Sequence, residues 1–322
     1  MKYLVTGCAG FIGSTLVDRL LEKRHQVIGI DNMSTGISEF LNTASKNRDF
    51  KFIRADLIEK GEWASALEDI DIVYHMAANA DIRGGLHEPQ KDIENNTIAT
   101  FNVLEAMREQ GVKKIIFASS AAALGEPDVF PTPETCPIPD QTSLYGASKM
   151  ACEGLISSYC EGFGFEGFAF RFVSLLGPRY PHGHVFDFVK QLIEDPKKLR
   201  ILGDGKQRKS YLHIDDCVKA LFHICEGSYS QEKKARYHVF HLGYPGYCQV
   251  EDSARWICET LGVEPIIELT GGDRGWVGDN PFVFLDVSKA LATGWKPENT
   301  IESSVRETAQ WLMDNQWILE RR

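Results

Sequence analysis

Gly7-Cys8-Ala9-Gly10-Phe11-Ile12-Gly13 is the stretch on which the fold turns. It follows a short apolar, β-branched run at 3–6 and opens a segment of helical period, so it is the turn between a first strand and a first helix. Glycines at 7, 10 and 13 carry no Cβ, which permits a tight turn, close approach of a pyrophosphate and close packing of helix on strand. The start of the helix adds free N–H groups and a partial positive charge. The spacing is GxxGxxG, and in this strand-turn-helix context it predicts a dinucleotide cradle.

Outward from that turn, strand-like runs at 3–6, 26–30, 51–54, 72–76, 114–118 and 168–173 alternate with segments of helical period. In one of these, 98–110, Ile98, Phe101, Leu104 and Met107 are expected on one face, with Gly111 as the stop. This rhythm predicts an α/β fold with a Rossmann-type, doubly wound parallel sheet. After Val173 the chain turns to Pro- and Gly-rich bends and shorter helices, as at 177–183 and 271–280, which predicts a smaller C-terminal α/β lobe. The expected division is 1–173 for the dinucleotide and 174–322 for the substrate, with the strand-helix-strand pattern at 211–242 crossing back to the first domain.

The 322 residues are enough for a full core, and 43% hydrophobic with 25% charged residues is an ordinary globular composition. A formal net charge of −10 works against a broad nucleic-acid surface, though a few local cations can still hold a small anion. The eight cysteines form no CxxC pair and no ligand-like cluster with histidine, so reduced thiols and no metal site are expected. No apolar run reaches about 18 residues and no basic, apolar leader precedes the first strand. A cytoplasmic protein with no membrane partner is the expectation.

Asp31 ends the second strand, 24 residues after Gly7. A carboxylate there can accept from both hydroxyls of an adenine ribose and repels a 2′-phosphate, which favours NAD over NADP. Asp56, closing the third strand, either reaches the adenine or is an ordinary loop aspartate. Further on stands Tyr145-Gly146-Ala147-Ser148-Lys149. A phenol with a pKa near 10 needs a nearby cation to act as a base, and Lys149 lies one helical turn away on the same face. Ser119 and Ser120 follow the fifth strand, at the sheet edge where such folds place ligands. A hydroxyl there can hydrogen-bond an alcohol and the ketone formed from it. Taken singly, an i, i+4 pair and a serine turn have ordinary structural readings; His75, His213 and the other histidines are expected to be structural.

These residues carry a resemblance that spans almost the whole chain. VTGCAGFIGS at 5–14, DNMSTG at 31–36, ADL at 55–57, HMAANADIR at 75–83, NNTIATFNVLEA at 95–106, FASSAAALGE at 117–126 and YGASK at 145–149 occur in family order. RFVSLLGPRYPHGHVFDF at 171–188, LGDGKQRKSYLHIDD at 202–216, DRGWVGD at 273–279 and TGWKP at 293–297 complete the series. The chain resembles an extended short-chain dehydrogenase/reductase of the NAD-dependent nucleotide-sugar epimerase/dehydratase family, and is most similar to the UDP-glucose 4-epimerase type. The resemblance implies that Gly7, Gly10, Phe11, Ile12 and Gly13 hold the pyrophosphate of NAD, and that Asp31, Asn32, Ser34, Thr35 and Gly36 wrap the ribose. It implies Asp56 and Leu57 beside the adenine, and Ala77, Ala78 and Asn96 along the path to the nicotinamide. Ser120, Tyr145 and Lys149 become the candidate catalytic triad, with Tyr145 and Lys149 also touching NAD. Ser120, Ser174, Arg208, Lys209 and Arg274 become candidate contacts to a nucleotide-diphosphate sugar.

Two positions depart from the pattern. Ser174 stands where members usually carry asparagine, and Ala123-Leu124-Gly125 where they usually read VYG; both bear on the sugar pocket and leave the hexose open. Sugar-nucleotide 4,6-dehydratases place an acidic pair after the hydroxyl that corresponds to Ser120, whereas Ala121 and Ala122 follow it here. The implied reaction is reversible oxidation at C4 of a nucleotide-diphosphate hexose to a transient 4-ketone with NADH held in place, then reduction from the other face. A dehydratase, decarboxylase or reductase on the same fold is the alternative enzyme, and a non-catalytic NAD-binding regulator the alternative of another class. The helices at 98–110 and 147–159 match the pair that family members use to form homodimers, so a homodimer is expected.

Overall fold

The computed structural model describes residues 1–79, 81, 84–137, 140–227, 236–275 and 279–321. Ala80, Ile82 and Arg83 of the 75–83 motif and Trp276, Val277 and Gly278 of the 273–279 motif lie outside the described residues. The chain forms two compact units: Met1–Pro127 with Glu134–Arg171 and Val218–His241, and Asp128–Pro133 with Phe172–Cys217 and Leu242–Arg322.

The strands, in chain order, are β1 Lys2–Thr6, β2 Gln26–Asp31, β3 Phe50–Arg54, β4 Ile72–His75, β5 Lys114–Ser120, β6 Glu166–Phe172, β7 Ser174–Leu176, β8 Lys198–Ile201, β9 Arg208–Lys209, β10 Tyr211–His213, β11 Tyr237–Leu242, β12 Cys248–Gln249, β13 Ile266–Leu269 and β14 Phe282–Val283. Seven of them make the first unit's sheet in the order β11-β6-β5-β4-β1-β2-β3. β1 pairs in parallel with both β2 and β4, so the chain runs one way from β1 to β3 and the other way from β4 onwards. The switch point therefore falls between β1 and β4, where ligands of open α/β sheets bind beyond the carboxyl ends of the strands.

β1 and β4 are almost wholly buried, as expected of central parallel strands covered on both faces. Leu4, Val73, Ile115 and Phe117 of the sheet pack with Val103, Leu104 and Met107 of the Ala99–Gln110 helix, and with Ile156 and Tyr159 of the Leu144–Phe163 helix. Gly111 ends the first of these helices in the left-handed conformation (φ 77°), and Val112 N donates to Met107 O at 2.9 Å. The expected stripe of Ile98, Phe101, Leu104 and Met107 needs correction: Leu104 and Met107 are buried, but Ile98 and Phe101 are 40% and 39% exposed. At about 100° per residue, an i+3 ladder drifts by about 60° at each step, so Ile98 ends up roughly opposite Met107. The core stripe instead follows Ala99, Thr100, Val103, Leu104, Ala106 and Met107.

The second unit has three small sheets: β7 with β10, β8 with β13, and β12-β9-β14. The His184–Glu194, Val250–Leu261 and Ile301–Asp314 helices belong to this unit. Gly177 N donates to Thr308 Oγ1 at 2.8 Å, and Asn299 donates through N and Nδ2 to Asp216 Oδ2 at 2.9 and 3.1 Å.

The first turn is a backbone contact. Gly7 sits at φ +64°, Gly10 N donates to Gly7 O at 3.1 Å, and a Cβ at position 13 would lie 2.1 Å from that same oxygen. The obstacle is backbone, so no rotamer change relieves it. Gly13→Ala should cost about 3 kcal/mol or more. Gly10→Ala, whose Cβ would meet Gly7 O at 3.2 Å, should cost less. Thermal melts of the two variants beside wild type test the ordering, and equal melting temperatures would refute it.

Candidate active site

The Phe11–Glu22 helix starts from Gly10 with no side chain capping its first turn, so its opening N–H groups are available to an anion. Asp31, at the end of β2, is buried, and its two oxygens accept from the glycine loop at Ala9 N (3.0 Å) and from the next turn at Met33 N (2.8 Å). Burial pushes this carboxyl above its ordinary pKa and the two amides pull it back. Each oxygen keeps a further lone pair for a ribose hydroxyl. Asn32 donates to Asp56 Oδ2 at 2.9 Å and orders Ser34 through its own Oδ1. Leu57 is buried, and Asn102 Nδ2 donates to the carbonyls of Leu57 and Ile58 at 2.9 and 2.7 Å. A cradle that a Cβ would fill, an uncapped helix start and a carboxylate after β2 fit a dinucleotide.

The segment after β4 is tied to both neighbours. Thr6 Oγ1 accepts from Met76 N and Ala77 N, each at 3.2 Å, and bonds His75 Nδ1 at 2.7 Å. The other ring nitrogen of His75 meets Thr100 Oγ1 at 2.9 Å. Burial pushes the His75 pKa down to about 3, so the ring is a neutral bridge. Asn96 lies in a wider helical turn, Ile93–Ile98, directly ahead of the Ala99–Gln110 helix. Its Oδ1 accepts from Asn79 N and its Nδ2 donates to Ser148 Oγ, both at 2.8 Å. Asp92 Oδ1 holds Asn79 Nδ2 at 2.9 Å. Asn79 and Ser148 lie inside the 75–83 and 145–149 motifs but no spacing marks them as functional, and Asp92 lies outside every motif.

Ser143 caps the Leu144–Phe163 helix by accepting from Gly146 N. Tyr145 and Ser120 are hydrogen-bonded through their side chains, and Ser120 Oγ also accepts from Ala122 N at 3.2 Å, capping the short turn Ala121–Leu124. A Cβ at residue 146 would lie 2.3 Å from Ala122 O, so glycine there lets the helix and that turn touch. Lys149 is 2% exposed. Its Nζ donates to Ala118 O at 2.8 Å and stands 4.8 Å from the Phe117 ring centre and 5.7 Å from that of Tyr145. Burial pushes the phenol up to about 12, against the pull of Ser120, and draws the ammonium down to about 8. In the protein alone Tyr145 therefore keeps its proton at neutral pH; a further positive charge beside it lowers that pKa. A phenol and a serine hydroxyl joined by a hydrogen bond, backed by an ammonium, can pass a proton to or from a substrate oxygen.

The second unit separates the other candidates. Ser174 is exposed at the start of β7, whereas Leu124, in the first unit, is buried. Arg208 and Lys209 are neighbours on β9 and so point to opposite faces. Lys209 Nζ donates to Asp279 Oδ1 at 2.8 Å and to the Asn280 carbonyl, and Arg274 Nη1 donates to Asp279 O at 3.0 Å. Arg208 lies over Phe282 at 3.8 Å, beside Tyr247, with no carboxylate partner among the described residues. Lys209 and Arg274 thus meet at Asp279, and Arg208 does not join them. No group of His, Cys, Asp and Glu among the described residues could hold a metal ion, and none of their helices is long and apolar enough to cross a membrane.

The model of the NAD dependent epimerase/dehydratase family matches residues 3–240, and the chain belongs to that family. It is 31% identical over 320 residues to a putative UDP-glucose 4-epimerase of Methanocaldococcus jannaschii, covering 97% of this chain and 98% of the relative. Among solved structures it is similar to a UDP-galactose 4-epimerase, with TM-score 0.88 and 37% identity over 98% of this chain and 100% of the other. It is also similar to the UDP-glucuronic acid 4-epimerase of Bacillus cereus, solved with UDP-glucuronic acid and NAD, with TM-score 0.88 and 27% identity over the same shares. The cofactor of this chain is NAD.

Lys149 carries a burial penalty that its site imposes. With a folded pKa of about 8 against an ordinary 10.5, the penalty amounts to about 3 kcal/mol, present in full below pH 8 and gone as the pH rises past 10.5. Lys149→Met removes this penalty together with one hydrogen bond, so it should stabilise the cofactor-stripped protein by about 1 to 3 kcal/mol at pH 7. The gain should shrink above pH 8. Denaturant melts at pH 7 and pH 10 test this, and a destabilised variant at pH 7 would refute it.

Proposed function

We propose that this chain interconverts epimers at C4 of a nucleotide-diphosphate hexose of the UDP-glucose/UDP-galactose type, through a transient 4-ketone. The observation that carries the reading is the Ser120–Tyr145 hydrogen bond backed by Lys149, followed by a turn made only of Ala121, Ala122, Ala123 and Leu124. Tyr145 accepts the proton of the C4 hydroxyl and later returns it. Ser120 holds the same oxygen as alcohol and as ketone, and Lys149 stabilises the phenolate. NAD, when bound, would supply the hydride acceptor and donor, so the overall reaction involves no net redox. Elimination of water would need an acid beside the sugar, and the turn after Ser120 offers none. The UDP sugars named for the relatives support a uridine nucleotide.

For the substrate diphosphate, Arg208, Lys209 and Arg274 remain the candidate cations, with Ser174 and Leu124 as the positions that tune the hexose. Of the three, Arg208 alone is not turned towards Asp279, and charge-assisted bonds to phosphate are the strong ones. The eight thiols are free and mostly buried, which supports a reducing compartment such as the cytoplasm. Ile93, Ile98 and Phe101 together with Leu144 and Phe163 leave apolar surface on the two helical segments of the first unit, which supports a homodimer.

Protein as purified, given UDP-glucose or UDP-galactose without added coenzyme, should bring each to the same equilibrium mixture. No turnover of any nucleotide sugar would overturn the reading. Tyr145→Phe should keep bound NAD and lose activity by a factor of about 100 or more. Phe101→Glu should halve the mass seen by light scattering; an unchanged mass would move the interface elsewhere.

A further inference from the structure

The mechanism uses Ser120, Tyr145 and Lys149, yet the same helix face goes on for another turn. Tyr145, Lys149 and Glu153 are spaced i, i+4, i+8, and so form one row along the Leu144–Phe163 helix. Each meets one of three consecutive residues at the end of β5: Tyr145 bonds Ser120, Lys149 bonds Ala118 O at 2.8 Å, and Glu153 Oε1 accepts from Ser119 Oγ at 2.5 Å. Behind Glu153 stands Arg171 of β6, which grips both carboxylate oxygens, Nε to Oε1 at 2.9 Å and Nη2 to Oε2 at 2.8 Å. Glu153 and Arg171 are 6% and 7% exposed and Ser119 is 3% exposed.

Stability does not account for such a pair. Desolvating two ions is costly, and apolar residues of similar volume often serve a core as well or better. The location is more informative. Ser119 lies between the carbonyl that holds the Lys149 ammonium and the hydroxyl that bonds Tyr145, so whatever holds Ser119 holds both. A bare carboxylate one turn from Lys149 would also disfavour a phenolate on Tyr145. Arg171 cancels that charge in a bidentate geometry that lysine cannot copy.

We propose that Glu153 and Arg171 are positioning residues for the Ser120–Tyr145–Lys149 constellation: they clamp the end of β5 to the helix and keep the charge behind the phenol balanced. Other titratable groups face the same constellation, and of these Asp92 raises the Tyr145 phenol as well. On the helix Cys152 stays a neutral thiol, raised by burial, and β11 contributes Tyr237, whose phenol burial and Glu153 both raise, and His241, 3.4 Å from Arg171 Nη1. Glu134 is engaged by His241 N at 3.1 Å. Around Lys149 itself are the neutral His75 and the buried Asp92, whose carboxyl burial raises.

The proposal rests on Tyr145 being the proton-transfer group of the epimerase reading, and its test separates the two. In the NAD-bound enzyme, Glu153→Gln leaves Arg171 charged, so the acid limb of the kcat profile should move to lower pH by about half a unit or more. Arg171→Met leaves Glu153 unbalanced, and the limb should move the other way or kcat should fall at every pH. Arg171→Lys should return the limb towards wild type, as should the double variant Glu153→Gln with Arg171→Gln. A merely structural pair would lower kcat or the melting temperature in each variant without displacing the limb of Glu153→Gln, and that result would overturn the proposal. Ultraviolet difference titration of the phenolate, referred to Tyr145→Phe in the same background, reads the displacement without any substrate. A downward shift there in Glu153→Gln, in a protein that turns over no nucleotide sugar, would keep this proposal and discard the epimerase; normal epimerase activity with no shift would do the reverse.

Discussion

The contact of Gly13 with the carbonyl of Gly7 governs the geometry of the first unit. Because nothing projects from residue 13, the first helix begins as soon as the loop has turned. The loop then lies near enough for Ala9 N to reach Asp31 at the end of β2, and for Gly7 to abut the backbone of Ala77 after β4. Three strand ends, β1, β2 and β4, are therefore located by one another and not by separate packing. Thr6 reinforces this by serving two amides of the β4 loop and the neutral ring of His75 at once. Ligands of open α/β sheets bind beyond such strand ends, so the shared geometry shapes the cofactor's side of the sheet.

Apart from Asp31, the buried charges described in this unit lie beside one helix, Leu144–Phe163. Lys149 is held by a carbonyl and two rings, Glu153 by Ser119 and Arg171, and Asp92 by Asn79. A site in water could not hold a lysine pKa near 8 or a phenol near 12, because solvent would screen both. The desolvation that costs stability at Lys149 is what lets one added charge move the Tyr145 proton.

What the sequence disclosed was local. The glycine run, the carboxylate at the end of the second strand and the four-residue step from Tyr145 to Lys149 are short-range patterns with a direct physical meaning, and the alternation of strand and helix announces a doubly wound sheet. What stayed hidden depends on contacts distant along the chain. The wider turn at Ile93–Ile98, which carries Asn96 to Asn79 and Ser148, has the composition of an ordinary helix. The pairing of Glu153 with Arg171 joins a helix to the strand after it, and no spacing rule connects them. The Ile98 face departs from the three-residue ladder because that ladder drifts around the helix. Arg208 and Lys209 could be assigned to opposite faces from strand alternation alone, but which face Asp279 occupies is a tertiary fact.

Gly146 connects two of these elements. The Tyr145 helix and the Ser120 turn meet through the helix backbone at residue 146 and the carbonyl of Ala122, with no side chain between them. The Gln141 side chain lies against the same point and donates to Ala123 O at 3.1 Å, so the junction is closed on that side too. The approach of the Tyr145 helix to the Ser120 turn is thus set by backbone at its tightest point, and a side chain at residue 146 is excluded there whatever the neighbouring residues become.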